Sequence, residues 1–446
     1  VTKESQVRLP AVVRQWCGLT AGDRVLLAAD PTAGRLALLG GQNGLMRHKF
    51  RAGPPVPTEE THRTTPFEVF FDLVFVFAFI RVATFTAQTP TPLALAHSLV
   101  LLLLLWWPFT NYAWLANQVR ADVGLVRAGN SAVMAAMFIA ALVLPQAWRD
   151  GSQSLAAPMT LALVYVVVRT VYLALVWHIS AGNARLRASL RLRVIPVAVG
   201  LILLLFGAVF GGAAQTLLWA AAFLIDCIGG LLIAVFAARA PLPSPSHFAE
   251  RHGLITIIAL GESLISVGVG AGSAVSRWPV LIAALLALTT ALTLWWLYFE
   301  NAAAPAGQAL ARIPVLDRTR ISSVAYSVAH FLLIAGIIYL AAGIEGVLTH
   351  IAHHPPQQPV GAPLDWTSAA ALFGGPALFL IGRALFLRLT VRHSPPAPIL
   401  AAGTILAMLP VARHLPALAA LALVAIILIA LVYYERTSWQ PTAAAR

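Results

Sequence analysis

The chain has 446 residues, 59% of them hydrophobic and 11% charged, and carries a formal net charge of +13. An ordinary globular domain carries about a quarter charged residues, and many apolar runs here reach the ~20 residues that cross a bilayer as a helix. These figures exclude a soluble enzyme or a soluble nucleic-acid-binding protein. The expected fold class is an all-α polytopic membrane protein of about twelve transmembrane helices behind a short β-rich N-terminal segment.

Residues 1–40 differ from the rest. Short β-like runs at Gln6–Leu9, Arg24–Ala29 and Arg35–Leu39 flank a helix-like piece that ends at Gly18. So few strands build no independent core, so a fold here requires a partner chain. The stretches "TKESQVRLP" and "LTAGDRVLL" resemble the AbrB/SpoVT-type swapped-hairpin DNA-binding domain. That resemblance implies self-association on the cytoplasmic side, with Lys3, Arg8 and Arg14 near DNA phosphates. Two readings stay open: a fused module that tethers DNA binding to the membrane, or a start placed too far upstream. Residues 41–65, rich in Gly, Pro and polar side chains, read as a linker. The first 65 residues hold no apolar core of a secretory signal, so none is expected. Cys17 precedes the membrane region and Cys227 lies inside an apolar run, so neither a disulfide nor a thiolate metal site is expected.

From Pro66 onward the apolar runs fall near 67–87, 92–117, 124–146, 155–178, 190–210, 213–236, 250–272, 279–300, 320–344, 367–388, 396–412 and 415–434. Loops after the even-numbered runs are basic: Arg185, Arg187, Arg191 and Arg193; Arg239 and Arg251; Arg312, Arg318 and Arg320; Arg392. Opposite loops hold Arg149, Arg277 and Arg413 singly. Lys and Arg hold loops in the cytoplasm, so both termini are expected there, in a bacterial inner membrane. The second run ends "LLLLLWWPFTNYAW" and the eighth "ALTLWWLYFENAA". Each carries a Trp pair before a polar aromatic stretch, which fits a six-plus-six parallel repeat with halves 66–240 and 246–436. Trp pairs also mark membrane interfaces generally. His350, His353 and His354 sit in a loop expected to be solvated, and no metal site is expected there.

Several charges lie inside the apolar runs. In "PFEVFFDLVFVFAF", Glu68 and Asp72 are four residues apart and share one helix face. A bare charge in the hydrocarbon costs about 3 kcal/mol or more, so Asp72 must be protonated, paired or turned to a polar interior. Asp226, Glu262 and His330 lie within other runs, and Arg81, Arg169 and Arg383 are the available charge partners. In "SHFAERHGLITIIALGES", His247 and Arg251 share a face beside Glu250, and Ser244 or Ser246 stands ready to cap the helix. The order His-Phe-Ala-Glu-Arg-His is not the zinc-protease signature. No hydrolase triad, P-loop or dinucleotide fingerprint is present, so no cofactor is expected and an enzyme is not the favoured class.

The stretches "FFDLVFVF", "HFAERHGLITIIALGES", "LIDCIGG", "WWLYFE" and "AHFLLIAGIIYLAAGIE" resemble the low temperature requirement protein A family of bacterial membrane proteins, from about Pro66 to Tyr434. The resemblance implies an integral membrane protein associated with growth in the cold, without a settled activity. The expected function is a transporter or channel for an unidentified small solute or ion. Its pathway would be lined by Glu68, Asp72, Asp226, His247, Glu250, Arg251, Glu262 and His330, with proton coupling one form of it. The alternatives are a lipid-modifying or lipid-binding membrane protein, a bundle whose charges are structural, and a membrane-tethered DNA-binding regulator.

Overall fold

A computed structural model describes residues 25–30, 35–40, 55–89, 91–148, 156–233, 242–314, 318, 321–322, 324–353, 362–392 and 395–438. The chain divides into two units, Val1–Gly53 and Pro54–Arg446. In the first, β1 (Val25–Asp30) pairs antiparallel with β2 (Arg35–Gly40), Val25 opposite Gly40 and Asp30 opposite Arg35. These strands fall on two of the three β-like runs. Lys3, Arg8, Arg14 and Cys17 lie outside the described residues.

The second unit is helical. Its helices are α1 (Pro66–Gln88), α2 (Pro92–Gln118), α3 (Gly124–Gln146), α4 (Ala156–Ile179), α5 (Ala184–Phe210), α6 (Gly212–Leu232), α7 (Pro245–Ala271), α8 (Trp278–Arg312), α9 (Ala325–His353), α10 (Trp366–Thr390), α11 (Ala397–Ala412) and α12 (Ala417–Ser438). Eleven of them are long and apolar enough to cross a bilayer, and α11 is a shorter apolar helix. The protein is thus an all-α polytopic membrane protein. Large apolar side chains stand exposed on its outer faces, among them Phe70, Leu73, Phe138, Leu163 and Ile195, as lipid contact requires.

The most enclosed helices are α9, α2 and α10; α5 and α6 are the least. Glycines make the central α9–α10 contact. A Cβ at Gly343 would stand 2.5 Å from the Leu372 backbone, and one at Gly375 2.5 Å from the amide nitrogen of Leu340. Small residues let membrane helices approach until backbones touch. Neighbour relations recur six helices apart: α1 packs on α3 as α7 on α9, α3 on α4 as α9 on α10, α2 on α6 as α8 on α12. The first six helices meet the last six mainly where α1 touches α7 and α9.

Two expectations are corrected. The ninth run was expected to end near residue 344, but α9 continues to His353 because its sequence stays apolar. His350 and His353 are therefore helical, and they line a hollow with Glu345 and Asp365; His354 lies outside the described residues. The backbone also departs from regular α-helix at two π turns, Phe299–Ala303 within α8 and Ala325–Ala329 opening α9. Such turns concentrate at functional sites. The freed Ser327 carbonyl accepts a hydrogen bond from Trp106 Nε1 at 2.6 Å.

Candidate functional site

Helices α1 and α7 start alike. Thr65 caps α1 and Ser244 caps α7, each followed by a proline in the first turn. Proline suits that position because its missing N–H would find no partner in the helix and its φ is already helical. Counting from Pro66 and Pro245, the third residues are Glu68 and His247 and the seventh are Asp72 and Arg251. The two helices pack in parallel register, so like positions meet. Glu68 Oε1 lies 2.9 Å from His247 Nε2, and Arg251 donates to both oxygens of Asp72; every one of these contacts joins residues 179 apart. The second helix carries the complement of the first.

All four side chains are buried, none more than 2% exposed. Arg251 Nη1 also stands 4.0 Å from Glu68 Oε1. The guanidinium lies over the rings of Phe71 and Phe109, at 5.6 and 5.7 Å, which favour a cation on their faces. Glu68 has a second task. Its Oε2 accepts from the Thr65 backbone N–H at 2.9 Å while Thr65 Oγ1 accepts from the Glu68 N–H, a capping box. The quartet therefore holds two carboxylates, one guanidinium and one imidazole in a setting where an unpaired charge costs several kcal/mol.

The loop ahead of α1 closes the quartet from outside. Residues 56–58 pair with 118–120 at the end of α2: Arg120 N–H donates to Val56 O at 2.9 Å, and Thr58 Oγ1 to Ala116 O at 2.9 Å. The Asp122 carboxylate, bonded to the Arg120 side chain, raises that guanidinium above its ordinary pKa, so the turn keeps its charge. The anchored loop brings the His62 ring within 5.1 Å of the His247 ring, centroid to centroid.

Next to the quartet lies a layer of rings around His252, which follows Arg251 in the chain. His330 Nδ1 faces only a carbonyl, Ala325 O at 3.3 Å, so it carries the proton and Nε2 accepts from Tyr298 Oη at 2.8 Å. His252 Nδ1 likewise donates to Phe248 O at 2.9 Å. That leaves His252 Nε2 buried without a hydrogen-bond partner among the described residues, as is Tyr326 Oη. The rings of His252 and His330 are 5.2 Å apart, and Tyr326 stacks on His330 at 4.9 Å. Titratable groups thus neighbour one another: His62 beside His247, Glu68 with His247, Asp72 with Arg251 four residues on, and His252, next in the chain to Arg251, beside His330 with Tyr298. Glu68, Asp72, His247, His252 and His330 are groups that can each hold a proton.

The remaining expected residues separate. Asp226 does not join the quartet; it pairs with Arg169 of α4 at 2.6 Å. Arg383 of α10 holds Glu435 of α12 through two bonds of 2.7 and 2.8 Å. Glu250 is turned to the loop, accepting from the Thr64 N–H at 3.1 Å with Arg63 3.7 Å away. Arg81 acts by its charge on Glu345 of α9. Glu262 lies on α7, its side chain outside the described residues. Of the eight residues expected along one pathway, Glu68, Asp72, His247 and Arg251 come together, while Asp226 and Glu250 have partners elsewhere. Sequence reasoning missed His252, Tyr298, Glu345 and Glu435 as buried polar groups, although His252, Tyr298 and Glu345 sit inside the quoted motifs.

The sequence profile described as bacterial low temperature requirement A protein matches residues 63–433. An uncharacterized protein of Rhizobium meliloti is 24% identical over 347 residues, covering 76% of this chain and 80% of its own length. No solved structure matches. The matched span begins at Arg63 and leaves the N-terminal hairpin outside it.

Proposed function

The chain belongs to the bacterial low temperature requirement A protein family, and from that premise we propose that it is a transport protein whose buried quartet couples solute or ion movement to protons. Two six-helix halves, 66–240 and 246–436, form the working parts. Both termini face the cytoplasm of a bacterial inner membrane, a placement supported by the arginines crowded after the even-numbered helices. The association with growth in the cold belongs to the same proposal.

One observation carries the reading. The Glu68–His247 and Asp72–Arg251 contacts cross from the first six helices to the last six, and among the described residues this quartet holds the ion pairs within 4.0 Å, both members buried, that do so. Buried ionisable residues in a membrane mark ion or proton routes by default, and alternating access rocks one half against the other around a site between them. Moving one proton onto Glu68 or Asp72 removes a negative charge from the quartet. That change weakens the contact between halves and favours a rearranged one.

The test is flux. The purified chain is placed in liposomes with verified orientation and a trapped pH-sensitive dye, then offered a pH gradient and a panel of ions and metabolites. Proton-linked movement that disappears in Asp72→Asn supports the proposal. A wild-type protein that moves neither protons nor any member of the panel overturns it. A purely structural role for the charges is a second reading, favoured by Arg169–Asp226 and Arg383–Glu435, which join helices of the same six. A lipid-handling role rests on Arg251 and His247 as phosphate partners, and would show as a lipid restored by wild type but not by His247→Ala. DNA binding by residues 1–50 would show in a gel-shift.

A further inference from the structure

We propose that His62, Glu68 and His247 form a binding site for a divalent transition-metal ion of the zinc class, at the Pro66 end of the α1–α7 contact. The ligand atoms of these three residues all lie within 4.8 Å of one another. They come from three separate elements: the anchored loop, the first turn of α1 and the first turn of α7. Among the described residues this is the one group of three with such spacing.

Two observations point to an ion. First, His62 Nε2 is buried and has no hydrogen-bond partner among the described residues. A buried imidazole nitrogen without a partner loses its hydration for nothing, whereas a metal ion uses its lone pair. Second, the charges of the quartet do not cancel with neutral imidazoles: Glu68 and Asp72 carry two negative charges against the single positive charge of Arg251, which is committed to Asp72. A cation at Glu68 provides the missing charge.

The donor set fixes the class of metal. Two imidazoles and one carboxylate match the three-ligand arrangement of zinc sites that keep a fourth position open. Calcium and magnesium call for oxygen ligands, so they are poor occupants. On binding, the Glu68–His247 hydrogen bond gives way to two metal bonds, and the single proton of the neutral His247 ring sits on Nδ1 so that Nε2 offers its lone pair to the ion. The ion then ties the loop to both helices and clamps the contact between the two sets of six.

The site shares Glu68 and His247 with the proposed pathway and rests on that reading only for what the clamp regulates; occupancy itself is independent of transport. The experiment therefore measures binding in detergent, without flux. The full chain is stripped with a chelator and titrated with Zn2+ against a chromophoric competitor, and with Co2+ for its visible ligand-field bands. The expected result is one ion per chain, with affinity lowered by at least the roughly 10-fold that loss of even an outer partner costs in His62→Ala and in Glu68→Gln. His62 lies in the loop outside the helix core, so its variant should elute and melt like wild type, which separates lost binding from lost folding. No stoichiometric uptake, or uptake unchanged in either variant, overturns the site. Failure of metal binding leaves the flux test standing, and failure of flux leaves this one standing.

Discussion

Two kinds of buried ion pair occur in this membrane domain. Arg169–Asp226 joins α4 to α6, and Arg383–Glu435 joins α10 to α12: the same relation, six helices apart, inside each set. Glu68–His247 and Asp72–Arg251 join α1 to α7, across the sets. The first kind is an arginine holding one acid. The second is a crowded quartet that also carries a helix cap and touches a ring layer with unpartnered polar atoms. A pair within a rigid set keeps its helices together in every state. A pair between sets must be remade whenever the sets move, so titratable groups belong there.

The largest effect is expected from breaking the pairs one side at a time. Arg169→Gln should lower stability by about 3–5 kcal/mol, because a buried Asp226 is left without its cation. Chemical or thermal unfolding in detergent measures it. Replacing both members, Arg169→Met with Asp226→Leu, should restore most of that loss, since apolar replacement of a whole buried pair is often neutral. The same double treatment of the quartet, Asp72→Leu with Arg251→Met, should also give a folded protein, but one without flux.

A smaller effect is expected at the α9–α10 contact. Gly343→Ala puts a methyl 2.5 Å from the Leu372 backbone, and such overpacking costs about 1–3 kcal/mol. It should lower the melting temperature and leave metal uptake at the quartet unchanged. The smallest effect concerns the caps. Thr65→Ala removes the hydroxyl that accepts from the Glu68 N–H, a loss of about 1 kcal/mol. Because Glu68 also bonds Thr65 Oγ1, this variant should alter flux as well as stability. Asp365→Ala, which removes the cap of α10, should cost a similar amount of stability and leave flux alone.

Much of the fold was legible because its signals are local. Apolar runs predict all twelve helices, and Ser244 before Pro245 marks the start of α7 as written. Asp72 was legible as a residue that needs a partner, since an apolar helix does not bury a bare carboxylate. Its partner was not legible: Arg251 lies 179 residues away, and nothing local relates the two. The repeated start, capping hydroxyl then proline, contains the register, but only the packing of α1 on α7 turns it into a charge match. Glu435 was missed because the last run was expected to stop at 434, just short of it, and Glu345 for the same reason beyond 344. His62 was read as linker because the pairing of residues 56–58 with 118–120, which fixes it over His247, is a long-range contact. The π turns left no sequence mark.

The account turns on the difference between the two kinds of pair, and one measurement addresses it directly: proton-linked flux in liposomes of Asp72→Leu/Arg251→Met beside Arg169→Met/Asp226→Leu, each checked for folding. The account predicts flux at the level of empty liposomes for the first and near that of wild type for the second. Wild-type flux from the quartet variant, or equal loss from both, would contradict it.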